Sequence, residues 1–480
     1  MGNNSRLYFI LAASGAAIGL GNMWLYSFFS FKFTGLFFIA YLIALCVLGV
    51  PLLMLEFSIG QYFNKNVVDA FASIRKWFSA IGWLMVFNAF IVMSIYAVIL
   101  SWHIIYFFVP FGTQWKSDPR AYFFNNVLQS SSAMSNLAQF SLHVFVALLL
   151  AWAIIFFCTR KGFESIKKYF LIIFPIFISL MFLFMLYSLS LENALAGVHL
   201  FLKPSFKSLL NFDVWAASFS LAMQSLGLSF GIMHIVARKS GKGFIVGNSF
   251  IVIIFKLLAS IAMGLIIFGI LGFLSMKHSL ISYDPSSFDY GSSFTILAQA
   301  VPFFKPAFLG ILFFIFLSAV FMLGACSLAY SISAVLAQKF NTKQSNAAII
   351  LIGFGFLFSF LFIIKPGFYI MDIMGHFVYY NILIIALLET LAVGWFFDLQ
   401  KISDYINFYS ALKIGGIWKF IIRYVLPLIL LWLFLVQAKS DFLLNYKSYS
   451  LWPIIIIGAA TVIAPIIAAF LMPQKLLDRK

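Results

Sequence analysis

Lys256 lies in the middle of a long apolar stretch, and it is the one Lys or Arg in the interior of any such stretch in this chain. An unpaired ammonium in hydrocarbon costs several kcal/mol, so this group must be neutral, paired or facing water. Two acids, Glu56 and Glu389, also fall inside apolar stretches, and Asp372 lies near the start of the one that holds Glu389. The first stretch is interrupted by Gly15, Gly19 and Gly21 beside Asn22, and the sixth gathers Ser225, Gly227, Ser229 and Gly231 at mid-depth. Glycine is a poor helix former, so these runs predict broken helices whose freed amides and carbonyls face a ligand. The chemistry is recognition of a small polar or charged solute. No catalytic Ser/His/Asp set, phosphate loop or acid pair appears, and the histidines lack metal-ligand spacing. The chain reads as a non-enzyme without an organic cofactor.

The elements that must hold these residues are membrane helices. Of 480 residues, 64% are hydrophobic and only 9% charged, the composition of an all-α polytopic membrane protein. Apolar stretches of spanning length are read at about 6–32, 34–62, 78–109, 140–158, 166–188, 214–236, 244–275, 303–337, 347–364, 368–397, 417–437 and 451–472, which makes twelve. With the N-terminus inside, the inner connections carry roughly twice as many Lys and Arg as the outer ones, which predicts that both termini are cytoplasmic. That asymmetry and an anionic bilayer account for the net charge of +17, so no nucleic-acid partner is expected. Cys46, Cys158 and Cys326 lack paired spacing and read as core residues. The first stretch reads as a retained helix and not as a signal peptide. The long outer connections, about 110–139, 189–213 and 276–302, are expected to fold over a permeation path.

Gly-interrupted spans at positions one and six, five helices apart, predict two inverted five-helix repeats, about 6–188 and 214–398, with a ligand site between them. The transporter core is then 1–398, and 399–480 holds two accessory helices. Small residues that merely allow close helix packing are the alternative for either segment taken alone.

The chain resembles the neurotransmitter:sodium symporter family, in its bacterial, leucine-transporter-like amino-acid branch. The resemblance is carried by Arg6-Leu7, Phe9-Ile10-Leu11-Ala12, Gly15, Gly19-Leu20-Gly21-Asn22, Tyr41, Gly49-Val50-Pro51-Leu52, Glu56, Gly60-Gln61-Tyr62, Tyr96, Ser101-Trp102, Lys161-Gly162, Glu164-Ser165, Trp215, Ser225, Phe230-Gly231, Asp372 and Glu389. It implies a secondary active transporter that imports an amino acid by alternating access, coupled to sodium, in a bacterial-type inner membrane. By the same resemblance, the substrate carboxylate meets the amides of Leu20 and Gly21 and the Tyr96 hydroxyl, and the amine meets carbonyls near Ala17, Gln224 and Ser225. A half-helix N-terminus favours an anion and freed carbonyls a cation, which suits a zwitterion. Val92, Gln224, Gly227, Phe230, Gly324 and Leu328 would line the side-chain pocket. Gly19 stands where the family's monoamine carriers have an aspartate, which points to an amino acid, and the pocket glycines leave room for a large apolar one.

Several positions depart from the family pattern. At the sodium site beside the substrate, Asn22 and Ser225 remain, but Lys256 replaces an asparagine ligand. At the second site Gly15 and Ile18 offer carbonyls, whereas Val320 to Gly324 lack the expected hydroxyls. Two readings of Lys256 stay open: its ammonium replaces the ion and contacts the substrate carboxylate or Glu56, with proton coupling in place of sodium, or it forms a fixed structural pair with Glu56. Asp372 matches the outer-gate acid, but Leu25 replaces its arginine, and Gln338 replaces an acid at the inner gate. Tyr41, Ser225 and Ser260 match part of a chloride site, while Leu221 replaces its glutamine. Glu56 and Glu389 are candidates for gating or coupling. The alternative function is a transport-deficient relative that acts as a binding sensor or as a subunit of a membrane complex.

Overall fold

A computed structural model describes residues 3–17, 25–33, 37–109, 115, 118–130, 139–203, 206–239, 242–277, 290–443, 446 and 449–472. Among them the chain is helical, with one isolated bridge, Phe140 to Ile364, in place of any sheet. Ten helices are long and apolar enough to cross a membrane: Phe37–Phe63, Lys76–Tyr106, Leu142–Thr159, Phe163–Ser190, Ile245–Met276, Phe308–Lys339, Gln344–Phe362, Gly367–Trp395, Gly416–Phe442 and Leu451–Leu471. Two further stretches complete the set: the first contains Asn3–Ala17 and Tyr26–Phe33, with residues 18–24 outside the described set, and the sixth is split into Phe212–Ser225 and Ile232–Lys239. Counted in chain order with these two, the ten become spans two to five and seven to twelve.

In hydrocarbon a backbone amide or carbonyl has no water to bond, so a helix must satisfy its own groups and repair any break. The second and eleventh spans contain Pro51 and Pro427, each preceded by a π turn, Leu45–Gly49 and Ile421–Val425. Each turn contains the carbonyl four residues before the proline, which loses its donor and would clash with the ring. In the eleventh span that carbonyl, on Arg423, accepts from the Trp395 indole at 2.9 Å instead. The widened turns are the local answer to proline.

Burial sorts the spans into centre and rim. In the third span 83% of the most apolar stretch is buried inside the protein, against 22% in each of the last two. Leu142, Val146 and Leu150 form an exposed stripe on one face of the fourth span, as expected for a lipid-facing helix. Of the cysteines only Cys326 is buried; Cys46 is exposed, which corrects the expectation that all three are core. Cys158 and Cys326, far apart in sequence, share a hydrogen bond. Of the long connections, 189–213 contains the helix Ala194–Leu202, which lies against the seventh span, where Gly197 and Gly272 allow near contact of the two backbones.

The closest approach that matters for the site is between the second span and the C-terminal half of the sixth. A Cβ on Gly60 would stand 2.2 Å from the His234 carbonyl oxygen, so only glycine lets these helices touch there. One turn earlier on the same face is Glu56. Gly60→Ala should therefore cost about 2 kcal/mol or more by overpacking against immovable backbone. Gly247→Ala, where a Cβ meets nothing within 4 Å, is the control. Thermal unfolding in detergent should show a large fall for the first and none for the second.

Candidate functional site

The sixth span stops being helical after Ser225 and resumes at Ile232. Three residues in between turn to positive φ: Gly227 at 67°, Ser229 at 66° and Gly231 at 71°. Left-handed backbone suits glycine and strains other residues, so Gly227 serves the turn first. A Cβ there would lie 3.0 Å from the Ala16 carbonyl, which places the end of the first helix against the break. The amides freed by the break need acceptors. Glu56 Oε1, on the second span, accepts from the Ser229 N–H at 2.7 Å, and the Phe230 carbonyl accepts from the Ser331 hydroxyl at 3.5 Å.

Ser225, at the edge of the break, shares a 3.2 Å hydrogen bond with the Tyr41 hydroxyl, and Tyr41 also bonds Ser260. The three chloride-site candidates thus form one buried cluster. Ser260 donates to the Lys256 carbonyl one turn back, at 3.0 Å. Ile253, Lys256 and Ser260 share a face of the seventh span; Ile253 packs near Gly49 of the second span, as does Leu226 of the break, and Ser260 reaches the break through Tyr41. The Lys256 side chain is fully buried, and its Nζ has no hydrogen-bond partner among the described residues. The fixed Lys256–Glu56 pair expected as one alternative is not formed. Glu56 is occupied by Ser229 and by His234, whose Nδ1 lies 3.4 Å from Oε2.

Tyr96, on the third span, packs its ring against the eighth. A Cβ on Gly324 would be 2.5 Å from it, and Phe321 meets it edge-on at 5.8 Å. Gly324 is thus filled by the Tyr96 ring and does not add open volume. Tyr290 neighbours both Tyr96 and Asp372. Asp372 accepts from the Tyr449 hydroxyl at 3.1 Å and from Tyr446. Burial, with the nearby Asp372 charge, pushes the Tyr446 phenol well above its ordinary pKa, so it remains a donor. Tyr446 is held in turn by stacking on His376 at 4.1 Å, and His376 lies 2.9 Å from Asp441. Where the arginine partner is missing, tyrosines from the segment between the last two spans hold Asp372. Near the other end of the spans Arg6 bonds Asn248 at 3.2 Å, Gln338 accepts from Arg238 at 2.8 Å, and Asp69 pairs with Lys339.

Ile18, Gly19, Leu20, Gly21 and Asn22 lie outside the described residues. Gly15 and Ala17 are at the end of the first helix, where Gly15 abuts the Phe170 ring of the fifth span. Gln224 is half-buried, and Phe230 and Leu328 are buried. Sodium needs oxygen ligands. Of the ligands expected for the sodium site beside the break, Ser225 lies at its edge and Asn22 lies outside the described residues, while Lys256 stands on the seventh span where an amide ligand was expected. A groove of about 710 Å³ lies elsewhere, lined by Ile104, Phe108, Trp115, Leu142, His143 and Leu150, with no acid, lysine or arginine in its lining.

The family model described as the sodium:neurotransmitter symporter family matches residues 2–118 and 112–478. The chain belongs to this family. It is 31% identical to an uncharacterized sodium-dependent transporter of Methanocaldococcus jannaschii, over 98% of this chain and 97% of that one. It is 25% identical to the mouse sodium- and chloride-dependent GABA transporter 2, over 94% and 82%, and 25% identical to the sodium-dependent nutrient amino acid transporter 1 of Drosophila virilis, over 92% and 78%. It is thus an integral membrane protein of a transporter family. Membership explains the break in the sixth span, but not His234, Tyr290, Tyr446 or Tyr449. Sequence reading passed over these four, and their signal was only that each is polar and lies in or next to an apolar stretch.

The break makes a prediction of opposite signs two residues apart. Gly227→Ala should destabilise by about 1–2 kcal/mol, because an L-residue pays for left-handed backbone and meets the Ala16 carbonyl. Ser229→Gly should stabilise slightly, since it relieves the same strain while leaving the N–H that Glu56 needs. Melting temperatures of the two purified variants, compared with the parent, check both signs.

Proposed function

We propose that this protein imports an amino acid, large and apolar at its side chain, by alternating access between repeats at about 6–188 and 214–398, with Lys256 standing in for one sodium ion. The observation that carries this reading is the buried Lys256 side chain, whose Nζ has no hydrogen-bond partner among the described residues, on a span tied through Ser260 and Tyr41 to the edge of the break. A carboxylate lying between the break and Tyr96 would be the natural counter-charge for it. The ammonium then does what a bound sodium ion would do, and a second cation in the same small space would be repelled. The amino-acid and GABA carriers among the relatives support a zwitterionic solute. The last two spans, buried little against the rest, are accessory, and the charge asymmetry of the connections favours cytoplasmic termini. The Tyr446–Tyr449 segment over Asp372 closes the outer end, and chloride, if it binds, would use Tyr41, Ser225 and Ser260.

Uptake of a panel of radiolabelled amino acids into proteoliposomes tests this. Uptake of leucine should change less than about twofold when sodium is replaced by choline, and should follow an imposed proton gradient more strongly. Lys256→Asn should restore a sodium requirement. Tyr96→Phe should weaken binding by about 1.5–3 kcal/mol through loss of one hydrogen bond to a charged group. Strong sodium dependence in the parent would refute the role given to Lys256, and no uptake of any amino acid would favour a sensor or subunit.

A further inference from the structure

One buried cluster has no part in the reading above. Glu56 comes from the second span, Glu389 from the tenth, and His234 from the first turn after the break. His234 is 2% exposed and both carboxylates are fully buried. The two ring nitrogens face different acids: Nδ1 is 3.4 Å from Glu56 Oε2 and Nε2 is 3.3 Å from Glu389 Oε1. The two contacts are close approaches without hydrogen-bond geometry, and neither ring nitrogen, neither Glu389 oxygen and not Glu56 Oε2 has a hydrogen-bond partner among the described residues. Glu56 Oε1 is taken by the Ser229 amide. The Phe71 ring covers the imidazole at 6.0 Å.

Among the described residues no Lys or Arg acts on this cluster. The charges that act on Glu56 are Glu389 and His234, and the one that acts on His234 is Glu56. On the first helix Arg6 is bonded to Asn248; toward the end of the eighth span Lys339 is paired with Asp69; beyond His234, Arg238 is bonded to Gln338 and faces Tyr330.

Proton counting then decides what the cluster can bind. A neutral imidazole has one N–H and one lone pair, so with both acids ionised one carboxylate faces a lone pair. A single added proton, on the ring or on the facing carboxyl, turns both contacts into donor–acceptor pairs and lowers the buried net charge from two to one. We propose that Glu56, His234 and Glu389 form a binding site for one proton, which fastens the C-terminal half of the sixth span to the second and tenth spans. When the proton leaves, two carboxylates surround a neutral ring without water, a costly arrangement that favours movement of the half-helix away from them. The site would thus tie proton release to the piece of backbone next to the break. Their ligand atoms lie within 4.8 Å of one another, so a divalent cation is the competing occupant. With one acid against each ring nitrogen, a single proton serves both contacts at once.

The test needs no substrate and is independent of the role of Lys256. Melting temperatures of the full-length protein in nanodiscs are measured with EDTA for the parent, His234→Gln and Glu389→Gln. The first variant removes the ring through which one proton joins the two acids, and the second supplies a permanent N–H to the ring. Between about pH 6 and about pH 9 the parent should fall by about 5 °C or more relative to both variants, as the bridging proton is lost. Potentiometric titration of the native proteins should find one more proton released by the parent than by Glu389→Gln. Equal slopes and equal proton counts would overturn the proposal. So would a parent whose stability at high pH is restored by about 10 µM zinc in place of EDTA while both variants ignore it, because the cluster would then be a metal site.

Discussion

A single hydrogen bond, from the Ser229 amide to Glu56, conditions the rest of the site. A helix broken inside a membrane leaves amides and carbonyls that hydrocarbon cannot satisfy, each at a cost of several kcal/mol. A neutral acceptor would meet that need, but a carboxylate meets it with a charge-assisted bond. The choice has consequences. The charge on Glu56 must be managed in turn, and His234 and Glu389 are what the structure places around its free oxygen. The close approach at Gly60 is the steric condition for this contact, because it brings the second span against the half-helix that carries His234.

On the other side of the break the constraint is of opposite sign. Tyr41, Ser225 and Ser260 join the break to the seventh span, and Lys256 on that span brings an ammonium into the same buried region. The broken segment therefore lies between a group of acids and a base that do not pair with each other. Groups buried in this way must be neutral, paired or hydrated. A zwitterion and a proton are the completions proposed above. The ends of the spans show the same substitution of partners: Asp372, without an arginine, is held by tyrosines that reach it from the segment before the last span.

The sequence was legible wherever composition and periodicity carry the physics. Twelve stretches matched the ten continuous spans and the two further stretches, and the crowding of Ser225, Gly227 and Gly231 foretold the break, because only small residues accept that backbone. Lys256 stood out because a lone charge in an apolar run is conspicuous. Of the partners considered for it, Glu56 turns toward the backbone, and a capped amide leaves no trace in a one-dimensional pattern. His234 was hidden for a related reason. It lies far along the chain from both Glu56 and Glu389, and only the packing of three spans makes it a bridge. Gly324 read as open volume until the Tyr96 ring was found to fill it.

The most direct measurement is an experimental structure of the protein with leucine bound in sodium-free buffer. The account predicts ligand density between the break of the sixth span and Tyr96, with the carboxylate within hydrogen-bonding distance of Lys256 Nζ and the Glu56–Ser229 bond intact. Leucine bound there only when sodium is added, with an ion on Ser225 and Lys256 turned away, would contradict it.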